Sequence, residues 1–276
     1  MQRRGEDPDF VEAVARGLDV LTAFGPGRRS MSLSEVAAQA GLARPTARRI
    51  LLTLAALGYA RSGPQGWELT PLVLDLGMTY VQASGLWDLA RPRMEDLVAR
   101  TGESCSVAQL DGSDIVYVAR VAVPKIIALQ VSIGTRFPAV PTSLGKVLLA
   151  GLDGDGLHRT LAQPSRSGVA QRWQPSPEEL DAALREVRAQ GWALTDEQLA
   201  PGIRSVAAPL RDGDGRVVAA ANVTVHAAET SVGTLLGEHL PLLLRTAADI
   251  GADLARVGAL PVSGADRAAP ALPARP

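Results

Sequence analysis

The chain is poor in the residues that most often build catalytic and covalent chemistry. One cysteine, Cys105, stands among 276 residues, so an intramolecular disulfide and a clustered cysteine metal site are both excluded. Histidine occurs three times, at 158, 226 and 239, with no His-Glu-x-x-His zinc motif. A Gly-x-Ser-x-Gly elbow and a Walker loop are also absent. No run approaches the ~18 apolar residues of a membrane-spanning helix. The opening MQRRGEDPDF is charged and acidic, unlike a secretory leader, and the expected location is the cytoplasm. Lysine is scarce too: 26 of the 28 basic residues are arginine. Net charge is −1 and 46% of residues are apolar, which suits a globular chain of about two domains.

Acids are scarce in one particular place. From Arg28 to Arg61 there are six arginines against a single acid, Glu35. That local excess of five positive charges sits in a segment with strong local structure signals. Asp9 is expected to cap a first helix whose apolar stripe is Phe10, Val14, Leu18 and Leu21, closed by Gly25-Pro-Gly27. Ser32-Leu-Ser-Glu35 reads as a capping box opening a second helix that stops at Gly41. A third helix over 44–57 carries Pro45 in its first turn and the stripe Ala47, Ile50, Leu51, Leu54 and Leu57. Tyr59-Ala-Arg61 and Trp67-Glu-Leu69, joined by Gly63-Pro-Gln-Gly66, read as a hairpin. Helix, tight turn, helix and hairpin form a winged helix-turn-helix layout. The free side of the third helix presents Arg44, Thr46, Arg48 and Arg49, with Arg61 on the hairpin. Guanidinium groups there can hold phosphates or fork onto guanine, and a threonine hydroxyl suits phosphate or a base edge. Taken singly, each arginine is equally at home on a solvated helix face.

The expected domains are 1–69 for the winged helix-turn-helix, 70–84 for a connecting helix, 85–258 for a second domain and 259–276 for a disordered Ala/Pro-rich tail. Within the second domain, a helix over 87–100 precedes strands at 105–110, 115–121 and 126–131. Helices follow at 143–150 and from the capping box Ser176-Pro-Glu-Glu179 to Gln190. Strands at 205–210 and 216–226 surround Asp212-Gly-Asp-Gly215, and one long helix runs over 231–257.

MSLSEVAAQAGLARPTARRILLTLAALGYARS, GESCSVAQLDGSDIVYVARV, FPAVPTSLGKVLLA and GWALTDEQLAPGIRSVAAPLRDGDGRVVAAANVTVH together resemble the IclR family of bacterial transcription regulators, from Phe10 to Val257. The branch they resemble regulates protocatechuate, 4-hydroxybenzoate and β-ketoadipate catabolism. The resemblance implies a two-domain α+β fold: a winged helix-turn-helix, a connecting helix, and a GAF-like antiparallel sheet flanked by helices. It implies a homodimer or dimer of dimers on a pseudo-palindromic double-stranded DNA operator, with no cofactor, metal or membrane. It also implies a small aromatic or keto acid effector in the second domain. The positions matching the family's ligand contacts are Ser143, Leu144, Ile203, Ser205, Asn222 and Thr224. A carboxylate suits free amides at a helix start such as Thr142-Ser-Leu-Gly145. The chain departs from the branch at Val140-Pro141, where an aromatic or histidine and a small residue usually stand. Ser143, Asn222 and Thr224 could equally be ordinary structural polar residues, and Arg136 and Arg204 surface charges or carboxylate partners. His226 reads as structural. Catalytic residues are not expected. The alternative is a small-molecule-converting or thiol-redox-switch protein built on Cys105, a residue that reads first as a buried apolar one but could line the pocket.

Overall fold

The computed structural model describes residues 9–25, 27–124 and 131–257, which fall into two compact units, Met1–Tyr80 and Val81–Pro276. The first unit begins with α1 (Glu12–Ala23), β1 (Ser30–Met31) and α2 (Leu33–Gln39). It continues with α3 (Arg44–Ala56), β2 (Ala60–Gly63) and β3 (Gly66–Leu69). The capping box forms as the sequence predicts: Glu35 N–H donates to Ser32 Oγ at 3.3 Å, and Ser32 N–H donates to Glu35 Oε2 at 2.7 Å. Gly41 turns the chain between α2 and α3 with φ +64°, a left-handed conformation that a side chain would strain. β1, β3 and β2 form a small antiparallel sheet in that order. Val20, Met31, Val36, Leu51, Leu54 and Ala60 make the core of this unit.

Two expectations for α1 fail. Its cap is Val11, with no side-chain bond, rather than Asp9. Phe10, Val14 and Leu18 are exposed and Leu21 is half-buried, while Val20 and Ala23 enter the core. The helical period is right but the stripe faces outward, because only the C-terminal turns of α1 supply buried side chains. Leu57 of the α3 stripe is likewise exposed. β1 is too short to leave a periodic signal.

α4 (Val73–Ser84) leads from the first unit into the second. The second unit contains α5 (Leu86–Thr101), β4 (Ser104–Asp111), β5 (Asp114–Val121), β6 (Arg136–Pro138), α6 (Ser143–Ala150) and α7 (Gly154–Leu161). It continues through α8 (Pro177–Gln190), β7 (Ala193–Asp196), β8 (Ile203–Arg211) and β9 (Val217–His226). α9 (Val232–Thr234) leads through a π turn at Leu235–His239 into α10 (Leu240–Val257). The long C-terminal helix is therefore not uniform. Pro241 has no N–H to give to the preceding turn and its ring crowds that turn, so a wider coil just before it relieves the conflict. The strand expected at 126–131 falls on residues outside those described, except Val131, which is in no strand. The 259–276 tail also lies outside them.

The six strands form one antiparallel sheet in the order β6-β5-β4-β9-β8-β7. Alternation along each strand gives it two faces. α5 and α10 cover one, with Met94, Leu97, Leu243 and Ile250 packed on Val107, Val206 and Val223. α6 and α8 cover part of the other, over Ala108, Leu110, Ile115, Ala207 and Ala220. Among the described residues no helix is long and apolar enough to cross a membrane.

Candidate ligand cavity and nucleic-acid face

The face beneath α6 changes character along its strands. Ala108 pairs with Ala220 at the apolar end, whereas one step of alternation away Ser106 pairs with Asn222 and then Ser104 with Thr224. Beyond the cover of α6 this polar half opens into a cavity with an empty volume of about 540 Å³, part of it open to solvent. All six sequence-matched residues reach it: Ser143 and Leu144 from α6, Ile203 and Ser205 from β8, Asn222 and Thr224 from β9.

α6 is set against the cavity by a close backbone approach. An added Cβ at Gly145 would lie 2.0 Å from Ala139 O, so glycine alone lets the helix start sit on that turn. Thr142 caps it, its Oγ1 accepting from Gly145 N–H at 2.9 Å and donating to Ala139 O at 3.0 Å. The buried polar atoms are satisfied in short chains. Ser143 Oγ lies 2.7 Å from Ser205 Oγ, which lies 3.0 Å from Thr195 Oγ1. Asn222 Oδ1 accepts from Ser106 N–H at 3.1 Å, and Asn222 Nδ2 donates to Thr224 Oγ1 at 2.9 Å. Tyr117, Phe137, Val131 and Leu199 supply apolar walls. The two rings meet edge to face, centroids 5.9 Å apart at 89°. Burial pushes the Tyr117 phenol up to about 12, so it stays protonated.

One charged side chain lines the cavity, and the sequence reading missed it. Arg120 reaches the polar half because β5 is bulged: Val107 pairs with Ala119 but Ala108 pairs with Tyr117. The extra residue, Val118, lets Tyr117 and Arg120 share a face despite their odd spacing. The available signal was a lone arginine inside the apolar run Ile115–Val121. Arg136 and Arg204, the cations considered from sequence, are engaged elsewhere. Arg136 pairs with Asp111, and Arg204 forks onto Asp196 at 2.8 and 2.9 Å and onto the carbonyl of Thr230 at 2.6 Å.

The remaining candidates fall outside the cavity. Cys105 is buried in the core beneath α5 and α10, and burial pushes its thiol up to about 12, too high to give a thiolate. The expectation that it could line the pocket is therefore corrected. His226 Nδ1 accepts from Ala228 N–H at 3.2 Å within a turn. Val140 packs on the cluster under α6, so the Val140-Pro141 departure does not alter the lining directly. Lys146, one turn after Ser143, is buried with its ammonium 4.3 Å from the Trp173 ring centre and 2.7 Å from Gln198 Oε1. Burial brings its pKa down to about 8. No cluster of three metal-ligating side chains occurs among the described residues.

In the first unit, α3 presents Arg44, Arg48 and Arg49 exposed and Thr46 half-buried. None of these three arginines is ion-paired among the described residues, so their charge is available to an anion. Arg61 differs: it forks onto Glu68 across the hairpin at 2.9 and 3.2 Å.

Two family models match the chain. The IclR helix-turn-helix domain covers residues 13–64, and the bacterial transcriptional regulator IclR C-terminal domain covers residues 78–252. The Pca regulon regulatory protein of Pseudomonas putida is 37% identical over 88% of this chain and 84% of its own length. The crystal structure of a transcriptional regulator from Rhodococcus sp. RHA1 is 44% identical, with TM-score 0.80 over 90% of this chain and all of that one. An IclR homologue from Microbacterium hydrocarbonoxydans, solved with 4-hydroxybenzoate, shares the fold at TM-score 0.77 and 23% identity, over 90% of this chain and all of that one.

Proposed function

Because the chain belongs to the IclR family of bacterial DNA-binding transcriptional regulators, we propose that it controls an aromatic-acid catabolic operon and answers to a small aromatic or keto acid in the second unit's cavity. The observation that carries the reading is the convergence of Ser143, Leu144, Ile203, Ser205, Asn222 and Thr224, distant in sequence, on one polar half-face. The 4-hydroxybenzoate held by a homologue of the same fold supports the ligand class. The lining offers hydroxyls, one amide and one guanidinium, groups suited to binding. No carboxylate and no imidazole of the described residues is part of it.

Arg44, Thr46, Arg48 and Arg49 enter the major groove and Arg61 touches the flanking backbone once DNA competes with Glu68 for it. A homodimer presents two such helices to a pseudo-palindromic operator in the cytoplasm, with a dimer of dimers as the larger form. The outward stripe of α1 supports this pairing: Val11, Val14 and Leu18 are 55–60% exposed, an apolar row that a second copy would cover. A ligand that binds one dimer geometry better than another then shifts DNA affinity through α4.

The test is fluorescence anisotropy with DNA from upstream of the protein's own gene, at several salt concentrations, with and without 4-hydroxybenzoate and protocatechuate. The expected result is binding that exceeds scrambled DNA and changes with one acid. Arg49→Ala should weaken it by ~1–3 kcal/mol if the residue reads a base, or lower the salt slope by ~1 if it holds phosphate. Affinity indifferent to every acid would sink the effector reading and leave the family membership standing.

A further inference from the structure

Arg120 is half-buried and borders a cavity whose described lining contains no carboxylate. Of its five N–H donors, Nη1 donates to Ser106 Oγ at 2.9 Å, and no other hydrogen bond or ion pair ties the guanidinium to the described residues. A half-buried cation with no counter-ion among the described residues keeps its charge available to an anion. Two other arginines on the sheet are paired with acids: Arg136 with Asp111 and Arg204 with Asp196. The cavity also holds a different kind of polar group. The Ser143–Ser205–Thr195 row has three hydroxyls and two mutual hydrogen bonds, leaving both donor and acceptor capacity at its ends. A guanidinium fork matches a carboxylate, whereas a hydroxyl row that can both give and accept matches a neutral hydroxyl. The lining also includes the apolar surfaces of Tyr117, Phe137, Leu144 and Leu199.

We propose that Arg120 seats the effector's carboxylate, while the Ser143–Ser205–Thr195 row takes an uncharged hydroxyl at the other end of the same molecule. The cavity thereby selects a monocarboxylate bearing a hydroxyl across a flat apolar body. This inference rests on the reading of the cavity as the effector site. It moves the carboxylate from the α6 helix start, where the sequence places it, to β5. One formal positive charge in the described lining calls for one carboxylate.

The test is isothermal titration of the full chain with 4-hydroxybenzoate, 4-hydroxybenzamide, benzoate and terephthalate. The wild type should bind 4-hydroxybenzoate best. Arg120→Gln should lose about 10- to 100-fold in affinity for 4-hydroxybenzoate and less than about threefold for the amide. Arg120→Lys, which keeps the charge without the fork, should restore part of the preference for acid over amide. Ser205→Ala should weaken 4-hydroxybenzoate and leave benzoate unchanged. Thermal melting of each unliganded variant confirms that it is folded. Equal losses for acid and amide in Arg120→Gln would make the residue merely structural and overturn the proposal. So would an undiminished affinity for the acid in that variant, or a wild type that prefers terephthalate. A wild type that binds none of the four removes the effector reading of the cavity itself, and with it this assignment.

Discussion

The two faces of the six-stranded sheet are built from the same strands and do different things. Under α5 and α10 a large apolar cluster runs from Leu86 to Leu254. Under α6 the apolar cover ends between the Ala108–Ala220 and Ser106–Asn222 pairs, and the polar half beyond carries the candidate site. Burying hydroxyls and an amide costs stability unless they are hydrogen-bonded. Ser143, Ser205, Thr195 and Asn222 meet that condition with each other or with backbone. The closed face holds the unit together, and the half-open face gives up some apolar burial in exchange for groups a ligand can use.

The largest effect should come from breaking the closed face. Leu243 is fully buried there, and Leu243→Ala should destabilise the second unit by roughly 2–5 kcal/mol in urea unfolding. Ligand affinity of the folded fraction should be unchanged. An equal loss of affinity would mean that the two faces are coupled more tightly than their separate cores imply.

A smaller loss is expected on the other side, with the opposite division between stability and binding. Gly145→Ala forces a methyl into the Ala139 carbonyl and pushes the start of α6 outward. The expected stability cost is roughly 1–3 kcal/mol, accompanied by loss of the ligand-induced change in DNA binding. A normal ligand response in this variant would show that the exact seat of Ser143 and Leu144 does not matter.

The smallest effect sharpens the edge of the site through pH. Lys146 has its pKa brought down to about 8 from 10.5 by burial. Below pH 8 it is charged in both folded and unfolded chains, and the burial penalty acts in full against the fold. Between about 8 and 10.5 the folded chain gives up this proton while the unfolded chain keeps it, so the penalty is relieved as pH rises. The melting temperature of the wild type should therefore fall less, or rise more, across that window than that of Lys146→Met. Parallel curves for the two proteins would show that Trp173 and Gln198 already compensate the charge.

Much of the helix-turn-helix was legible because its signals are local. Ser32 and Glu35 close a capping box within four residues, and Gly41 marks a turn by its own conformational freedom. The cavity was legible only by resemblance. Ser143, Ser205 and Asn222 look like ordinary polar residues until a helix start and two strands bring them together. α1 shows the limit of periodicity: Val14 and Leu18 repeat as a core stripe should, yet they face outward. A period says that a helix has an apolar side, but not what covers it.

The sequence by itself determined the elements whose instructions lie within a few residues: capped helices, glycine turns, strands with apolar alternation, and the arginine-rich α3. Only the tertiary structure decided which side of each element meets which partner. The bulge at Val118 makes the point at a single residue. Alternation alone would put Tyr117 and Arg120 on opposite faces, and one extra residue in β5, visible only when its pairing with β4 is known, puts both in the cavity. Register is a property of two strands together, and neither strand's sequence contains it alone.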